Sequence, residues 1–175
     1  MARTVELRRH TDAVNDVLTP DGVREAIAIG TRLDDRYDVV ITSGAQRATQ
    51  TAACFLSGMG RSVPGGVIVN AGFRSAVEGR WFEASKRAAG KDLDAFRAAD
   101  PELVEREASL LGGVLGSVFQ ALPEDGKALV ISHSPMIEAA VLGLTGKVTD
   151  PVAKGAGVRI TEEGNSYRIE QLKAR

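Results

Sequence analysis

The chain alternates between short apolar runs and longer segments in which apolar residues recur every three or four positions. Short apolar runs bounded by turn residues are typical of buried strands, and the longer spacing is typical of helices. This alternation predicts an α/β fold with a largely parallel sheet. The predicted strands span about residues 4–8, 38–43, 65–70 and 127–132, followed by a closing hairpin over 158–161 and 167–172.

Two helix starts are marked by capping chemistry. Thr19 can cap a helix that begins at Pro20, and Ser134 with Pro135 repeats the pattern later in the chain. Further helices are predicted over residues 45–56 and 102–122.

Residues 74–108 are more polar, so we expect them to form a short helical cap at the mouth of the sheet. The overall expectation is a single domain over residues 1–175, built as a three-layer α/β/α sandwich.

Composition narrows the classes of partner. Lys and Arg number 22 and Asp and Glu 23, so the net charge of -1 favours neither nucleic acid nor an anionic membrane. The amino terminus lacks the apolar core of a signal peptide, and charges or glycines interrupt every apolar run. Cys54 is the sole cysteine, which excludes an intrachain disulfide and suits a reducing cytoplasm. We therefore expect a cytoplasmic protein with no nucleic-acid or membrane partner.

The two histidines of the chain, His10 and His133, each follow the carboxyl end of a predicted strand. In open α/β sheets that edge is where ligands bind, and parallel strands bring distant segments to it. An ordinary surface or structural role is the alternative for each histidine taken alone. Their shared placement favours a common site.

Arginines follow the same edge. Arg8 and Arg9 precede His10, and strand alternation predicts that one of them reaches the site. Arg47 lies in the first turn of a predicted helix, where a cation opposes the helix dipole unless an anion binds there. Arginines and helix amino termini suit phosphate, and a neutral imidazole can attack phosphorus. The remaining requirement is an acid that protonates the leaving group.

Four motifs in order resemble the histidine phosphatase (phosphoglycerate mutase-like) superfamily. They are Leu7-Arg8-Arg9-His10-Thr11, Leu18-Thr19-Pro20-Asp21-Gly22, Ser43-Gly44-Ala45-Gln46-Arg47-Ala48-Thr49-Gln50-Thr51-Ala52 and Ser132-His133-Ser134. The resemblance implies that His10 is the phosphorylated nucleophile. It also implies that Arg9, Arg47 and His133 hold the phosphoryl oxygens, and that no metal or other cofactor is required.

Three positions depart from the family's pattern. Thr11 replaces the usual glycine and is expected to narrow the pocket. Asn15 and Asp16 both lie near the family's asparagine, and we favour Asn15 because a carboxylate would repel the substrate. At the position of the family's proton donor, strict spacing gives Ser75.

Glu78 is the nearest carboxylate to that position, with Glu83 behind it, so we assign the acid to Glu78. A solvated charge in a helical cap is the alternative. Glu138 follows His133 by five residues and is expected on the exposed face of its helix, unless it orients a side chain in the site.

These features favour a phosphatase that hydrolyses a phosphomonoester or phosphoramidate through a phosphohistidine on His10. The substrate would be a phosphorylated small molecule or a phosphoprotein, with Ser134 and Arg80 among its contacts. Basic side chains such as Arg80 and Lys86 favour a multiply anionic substrate, although a solvated helical face would carry them equally well.

Two other functions are weighed against this one. A non-catalytic phosphate-binding or regulatory module on the same fold stays open because the acid motif is poorly matched. A metal hydrolase is disfavoured, since the chain has no His-x-x-x-Asp or His-Glu-x-x-His spacing.

Overall fold

A computed structural model describes residues 2–33 and 36–174. The strands are β1 (Thr4–Arg9), β2 (Ala13–Val14), β3 (Val17–Leu18), β4 (Val39–Thr42), β5 (Val67–Val69), β6 (Lys127–Ser132), β7 (Gly157–Glu163) and β8 (Ser166–Leu172). The helices are α1 (Pro20–Thr31), α2 (Gln46–Met59), α3 (Glu78–Arg87), α4 (Leu93–Ala99), α5 (Pro101–Ala121) and α6 (Met136–Thr145).

The central sheet has six strands in the spatial order β5-β4-β6-β1-β7-β8. Strands β5, β4, β6 and β1 are parallel, whereas β7 and β8 run antiparallel as the closing hairpin. Arg9 pairs with Ser132 and Thr42 with Ile131, so the carboxyl ends of the three inner strands lie level. The next residues along the chain therefore meet at one edge. The mostly parallel α/β architecture is confirmed.

Helices cover both faces of this sheet because its buried strands are apolar on both sides. On one face α1 and α2 pack over Val40, Leu129 and Ile131. On the other face α5 and α6 pack over alternate residues, including Leu7 and Val130. The alternation of side chains along each strand thus divides the core between two helical layers.

A glycine allows the closest approach between α5 and α6. A Cβ atom at Gly143 would lie 1.8 Å from the carbonyl oxygen of Ala108. No side chain fits at that distance, so the backbones of the two helices are in direct contact there.

The cap consists of α3, α4 and the first turns of α5, which is a single helix from Pro101 to Ala121. Trp81 and Phe96 meet edge to face, with ring centroids 5.6 Å apart, and join α3 to α4. The cap was expected to be helical over residues 74–108, and the helices that form it lie there.

Two local features differ from expectation. Residues 13–18 form a small antiparallel hairpin, β2–β3, which was not predicted. Pro135 flanks α6 directly, and no side chain caps that helix, so the predicted cap by Ser134 is wrong. Among the described residues, no helix has the length and apolarity needed to cross a membrane.

Candidate active site

The two histidines come together at the carboxyl edge of the sheet. His10 follows β1 and His133 follows β6, and these strands are neighbours. Their ring centroids lie 5.3 Å apart, with the ring planes inclined by 55°. Both side chains are buried, so the rings form the floor of a pocket.

Hydrogen bonds fix the tautomer of His10. Its Nδ1 lies 2.7 Å from the carbonyl oxygen of Thr11, which can only accept, so Nδ1 carries the proton. The lone pair is then on Nε2, and Nε of Arg47 donates to that atom at 3.3 Å. The atom that bears the lone pair is therefore the one that meets a cation.

The side chain of Thr11 does not line the pocket as the sequence suggested. Its hydroxyl donates to the carbonyl oxygen of Gly22 at 2.8 Å, at the start of α1. Thr11 is buried there and is absent from the pocket lining, so the expected narrowing does not occur.

His133 is held on one side only. Its Nε2 lies 2.7 Å from the hydroxyl of Ser43, the residue that follows β4. Its Nδ1 is buried without a hydrogen-bond partner among the described residues.

Both imidazoles are neutral at neutral pH. Burial, helped by the charges of Arg47 and Arg9, lowers the pKa of His10 to about 4, although the hydrogen bond to Thr11 acts in the opposite direction. Burial also lowers the pKa of His133 to about 3, with the charge of Arg47 and His10 acting in the same direction. A neutral His10 is the form in which an imidazole acts as a nucleophile.

The adjacent arginines Arg8 and Arg9 have different environments. Arg8 is buried against the sheet, where its Nε donates to Glu6 at 2.7 Å and its Nη1 to the carbonyl of Gly155. Arg9 lines the histidine pocket, and its Nη1 donates to the carbonyl of Val152 at 3.1 Å. Burial lowers the pKa of Arg9. Arg9 is thus the arginine that reaches the site.

Arg47 projects from the first turn of α2 into the same pocket. Its Nη1 donates to Asp16 at 2.7 Å, and the same carboxylate accepts from the backbone N–H groups of Arg47 and Gln46. Asp16 therefore caps α2. Asn15 is exposed and does not line the pocket, so the assignment of Asn15 as a substrate contact is not supported by its position.

Glu78 is the one carboxylate among the described residues that line the histidine pocket. Its side chain is 38% exposed and accepts from Nε of Arg74 at 2.7 Å. Ser75 is buried and donates to Glu107 instead. Glu83 pairs with Lys86 and lies outside the pocket lining.

Ser134 also lines the pocket, as expected, and its hydroxyl donates to Glu138 at 2.5 Å. Glu138 is 1% exposed, which corrects the expectation of a surface position. The backbone N–H of Val152 donates to the same carboxylate oxygen at 2.9 Å. Burial raises the pKa of Glu138. The Glu138 carboxylate therefore fixes Ser134, which lines the pocket, and also Val152, whose carbonyl oxygen accepts from Arg9.

Arg80 lies outside the pocket, in contrast to the sequence-based assignment. Its guanidinium forms a bidentate pair with Asp100 at 2.8 and 2.9 Å and also approaches Glu102. The partner acids belong to the start of α5, about twenty residues further along the chain.

The pocket has a volume of about 340 Å³ and combines a polar floor with an aromatic wall. The wall and rim are formed by Trp81, Phe82, Ser85, Phe96, Pro135 and Met136. Within the described part of the chain, no three His, Cys, Asp or Glu side chains are grouped as a metal site would require. Two neutral imidazoles and two guanidiniums form a site suited to a tetrahedral oxyanion.

Solved structures with the same fold include several phosphate-processing proteins. A phosphoglycerate mutase from Bacillus anthracis str. Sterne shares 19% identity at a TM-score of 0.76, covering 98% of this chain and 92% of that one. Phosphoserine phosphatase from Entamoeba histolytica, in complex with 3-phosphoglyceric acid, shares 15% identity at 0.76, covering 98% and 97%. A mycobacterial glucosyl-3-phosphoglycerate phosphatase shares 15% identity at 0.68, covering 100% of both chains.

At these identities the likeness establishes the fold. No curated protein sequence matches the chain. The sequence profile of the histidine phosphatase superfamily (branch 1) matches residues 3–156, which include both histidines and both pocket arginines. The chain therefore belongs to the histidine phosphatase superfamily.

Proposed function

We propose that this protein is a cytoplasmic, metal-independent phosphatase that hydrolyses a phosphomonoester or phosphoramidate through a phosphohistidine on His10. The observation that carries the proposal is the Nε2 lone pair of His10, which meets Arg47 in the pocket that Arg9 and His133 also line. Membership of the superfamily supports the same reaction class. The substrate is a phosphorylated small molecule, or a phosphoprotein whose modified side chain enters the pocket.

In the first half-reaction, Nε2 of His10 attacks phosphorus. A P–N bond forms while the bond from phosphorus to the leaving oxygen or nitrogen breaks. Arg9, Arg47 and His133 stabilise the negative charge on the non-bridging oxygens. The leaving group takes a proton from Glu78, the carboxylate of the pocket.

In the second half-reaction, water attacks the phosphohistidine. Glu78 accepts the proton of the water as the P–N bond breaks, which restores His10 and releases inorganic phosphate. The bond from Nδ1 of His10 to Thr11 keeps the ring in the same tautomer and orientation throughout.

The nucleophile is tested by mixing the protein with a radiolabelled aryl phosphate and quenching within the first turnover. We expect a protein-bound phosphate that is stable in alkali and labile in acid. His10→Ala should abolish it and lower kcat at least a thousandfold, as order-of-magnitude estimates for loss of a nucleophile suggest. Activity should survive EDTA.

The acid is tested with two matched variants, Glu78→Gln and Glu83→Gln. Glu83 has the same chemistry on the same helix but pairs with Lys86 outside the pocket. Glu78→Gln should lose activity on alkyl phosphates more than on an activated aryl phosphate, because a good leaving group needs no proton. Equal loss on both substrates would refute the assignment of Glu78.

A non-catalytic phosphate-binding module is the second candidate, and the pairing of Glu78 with Arg74 favours it, because the pocket carboxylate is bound to a cation. The two functions differ in one result. A binding module would bind phosphate and vanadate yet show neither turnover nor a phosphoenzyme with any phosphate ester.

A further inference from the structure

A second cavity of about 510 Å³ adjoins the histidine pocket. Arg9 and Ser134 line both cavities, so the two share a boundary. The remaining lining of this second cavity, which we call the annex, is formed by Glu25, Lys91, Pro151, Val152, Ala153 and Lys154.

The lining of the annex contains more cationic than anionic side chains. Three of its lining side chains, Arg9, Lys91 and Lys154, are cationic, whereas Glu25 is the one carboxylate among the described residues that line it. The cations come from three parts of the fold: β1, the connection between α3 and α4, and the segment before β7. A site assembled from separate segments can be shaped to one ligand.

Lys154 is held in place at the edge of the annex. Its Nζ pairs with Asp12 at 2.5 Å, and its side chain remains 43% exposed. Its charge is among those that lower the pKa of His10, which places this ammonium within electrostatic reach of the nucleophile. An anion that spans from His10 to Lys154 would therefore interact with both.

Arg9 connects the two cavities. Its Nη1 is bonded to Val152, whereas its buried Nε has no hydrogen-bond partner among the described residues. A buried guanidinium N–H without a partner is costly, and an anionic ligand at this boundary would satisfy it.

We propose that the annex binds a second anionic group, a carboxylate or a second phosphate, carried by the same substrate whose phosphoryl group enters the histidine pocket. This inference rests on the proposed function. It also moves the predicted basic subsite, because Arg80 and Lys86 lie outside both cavities whereas Lys91 and Lys154 line the annex.

The test compares three ligands that cannot be hydrolysed: propylphosphonate, 3-phosphonopropanoate and propane-1,3-bisphosphonate. The first has one anionic group, the second adds a carboxylate and the third adds a phosphonate. Trp81 is the sole tryptophan of the chain and lines the histidine pocket, so its fluorescence reports binding directly.

We expect the wild type to bind one or both of the ligands with a second anionic group more tightly than propylphosphonate. Lys154→Met and Lys91→Met should each reduce that preference about fivefold, the value for a partly exposed ion pair, because they weaken binding of the ligands with a second anionic group more than binding of propylphosphonate. The tighter of the two ligands identifies the second group as carboxylate or phosphate.

Lys86→Met is the matched control, because it removes the same charge from a lysine outside both cavities. The inference is overturned if all three ligands bind the wild type equally, or if the preference survives in both annex variants. Failure of every phosphonate to bind would overturn the proposed function as well. If the protein hydrolyses an aryl phosphate but binds the three phosphonates equally, the inference about the annex fails and the proposed function stands.

Discussion

The low pKa values of the two histidines make the stability of the fold depend on pH. Each histidine has an ordinary pKa of 6.5, which falls to about 4 for His10 and about 3 for His133 in the folded protein. Between those values the unfolded chain binds more protons than the folded one. The stabilisation is therefore complete above pH 6.5 and is lost as the pH falls to about 4 for His10 and to about 3 for His133.

The size of the effect follows from proton linkage. Each histidine changes the free energy of unfolding by about 1.4 kcal/mol per pH unit where only its unfolded form is protonated. Lowering the pH from about 7.5 to about 5 should remove roughly 2 kcal/mol per histidine, or about 4 kcal/mol together. Solvent screening at the pocket mouth reduces the sum to about 2–3 kcal/mol.

The assay is urea denaturation at steps of pH, comparing the wild type with the double variant His10→Asn/His133→Asn. The comparison is needed because burial raises the pKa of Glu138, whose titration has the opposite sign and cancels between the two proteins. Saturating phosphate should flatten the dependence in the wild type, because a bound dianion raises the pKa of both rings. Identical pH slopes in the two proteins would refute the claim that burial holds both rings neutral.

Three further predictions concern contacts around the site and in the core. Glu138→Ala should weaken inhibition by vanadate about tenfold, because the Glu138 carboxylate anchors groups that border the pocket. The control is Glu6→Gln, which changes an equally buried carboxylate and should lower stability without changing that inhibition. Asp16→Asn should tighten vanadate inhibition about fivefold, because the neighbouring arginine is no longer neutralised; an unchanged inhibition constant would count against this. Gly143→Ala should destabilise the fold by about 2–3 kcal/mol in urea denaturation, because the new Cβ would meet the backbone of the facing helix. Gly113→Ala is the control: a Cβ at that position meets no other atom, so the substitution should stabilise the helix by up to about 1 kcal/mol.

The sheet and the convergence of the histidines could be predicted because they depend on local pattern. β6 spans residues 127–132 as the apolar run indicated. Once β1 and β6 are parallel and adjacent, His10 and His133 must lie at the same edge. Alternation along β1 likewise explains why Arg8 and Arg9 point in opposite directions.

The contact between Asp16 and Arg47 depends on the geometry of a turn, and the number of residues from His10 does not predict that geometry. Asn15 and Asp16 both have positive φ, 51° and 66°, and form the two-residue turn between β2 and β3. This turn directs the carboxylate of Asp16 to Arg47 and leaves Asn15 in solvent. The Asn-Asp pair between Val14 and Val17 was the available signal, because these residues tolerate positive φ in tight hairpins.

The burial of Glu138 was also readable in principle. Residues 136–144 are apolar on every side apart from this glutamate, and a helix without a polar face is buried on all sides. A single charge in such a helix needs partners, which here are Ser134 and the N–H of Val152. The pairing of Arg80 with Asp100, in contrast, depends on how the cap folds, and no local pattern encodes it.

The electrostatics of the histidine pocket are suited to an anion. The pocket holds four side chains that can carry a positive charge: His10, His133, Arg9 and Arg47. The pKa values of the two histidines are low, so both rings are neutral at neutral pH. A phosphate dianion reverses this balance, because its charge raises the pKa of both rings. In the proposed mechanism Nε2 of His10 faces phosphorus and takes no proton, so a proton gained on binding would go to His133, whose buried Nδ1 has no partner among the described residues. In the proposed reaction the neutral nucleophile then lies beside the guanidiniums of Arg9 and Arg47, which is the charge distribution that transfer to nitrogen requires.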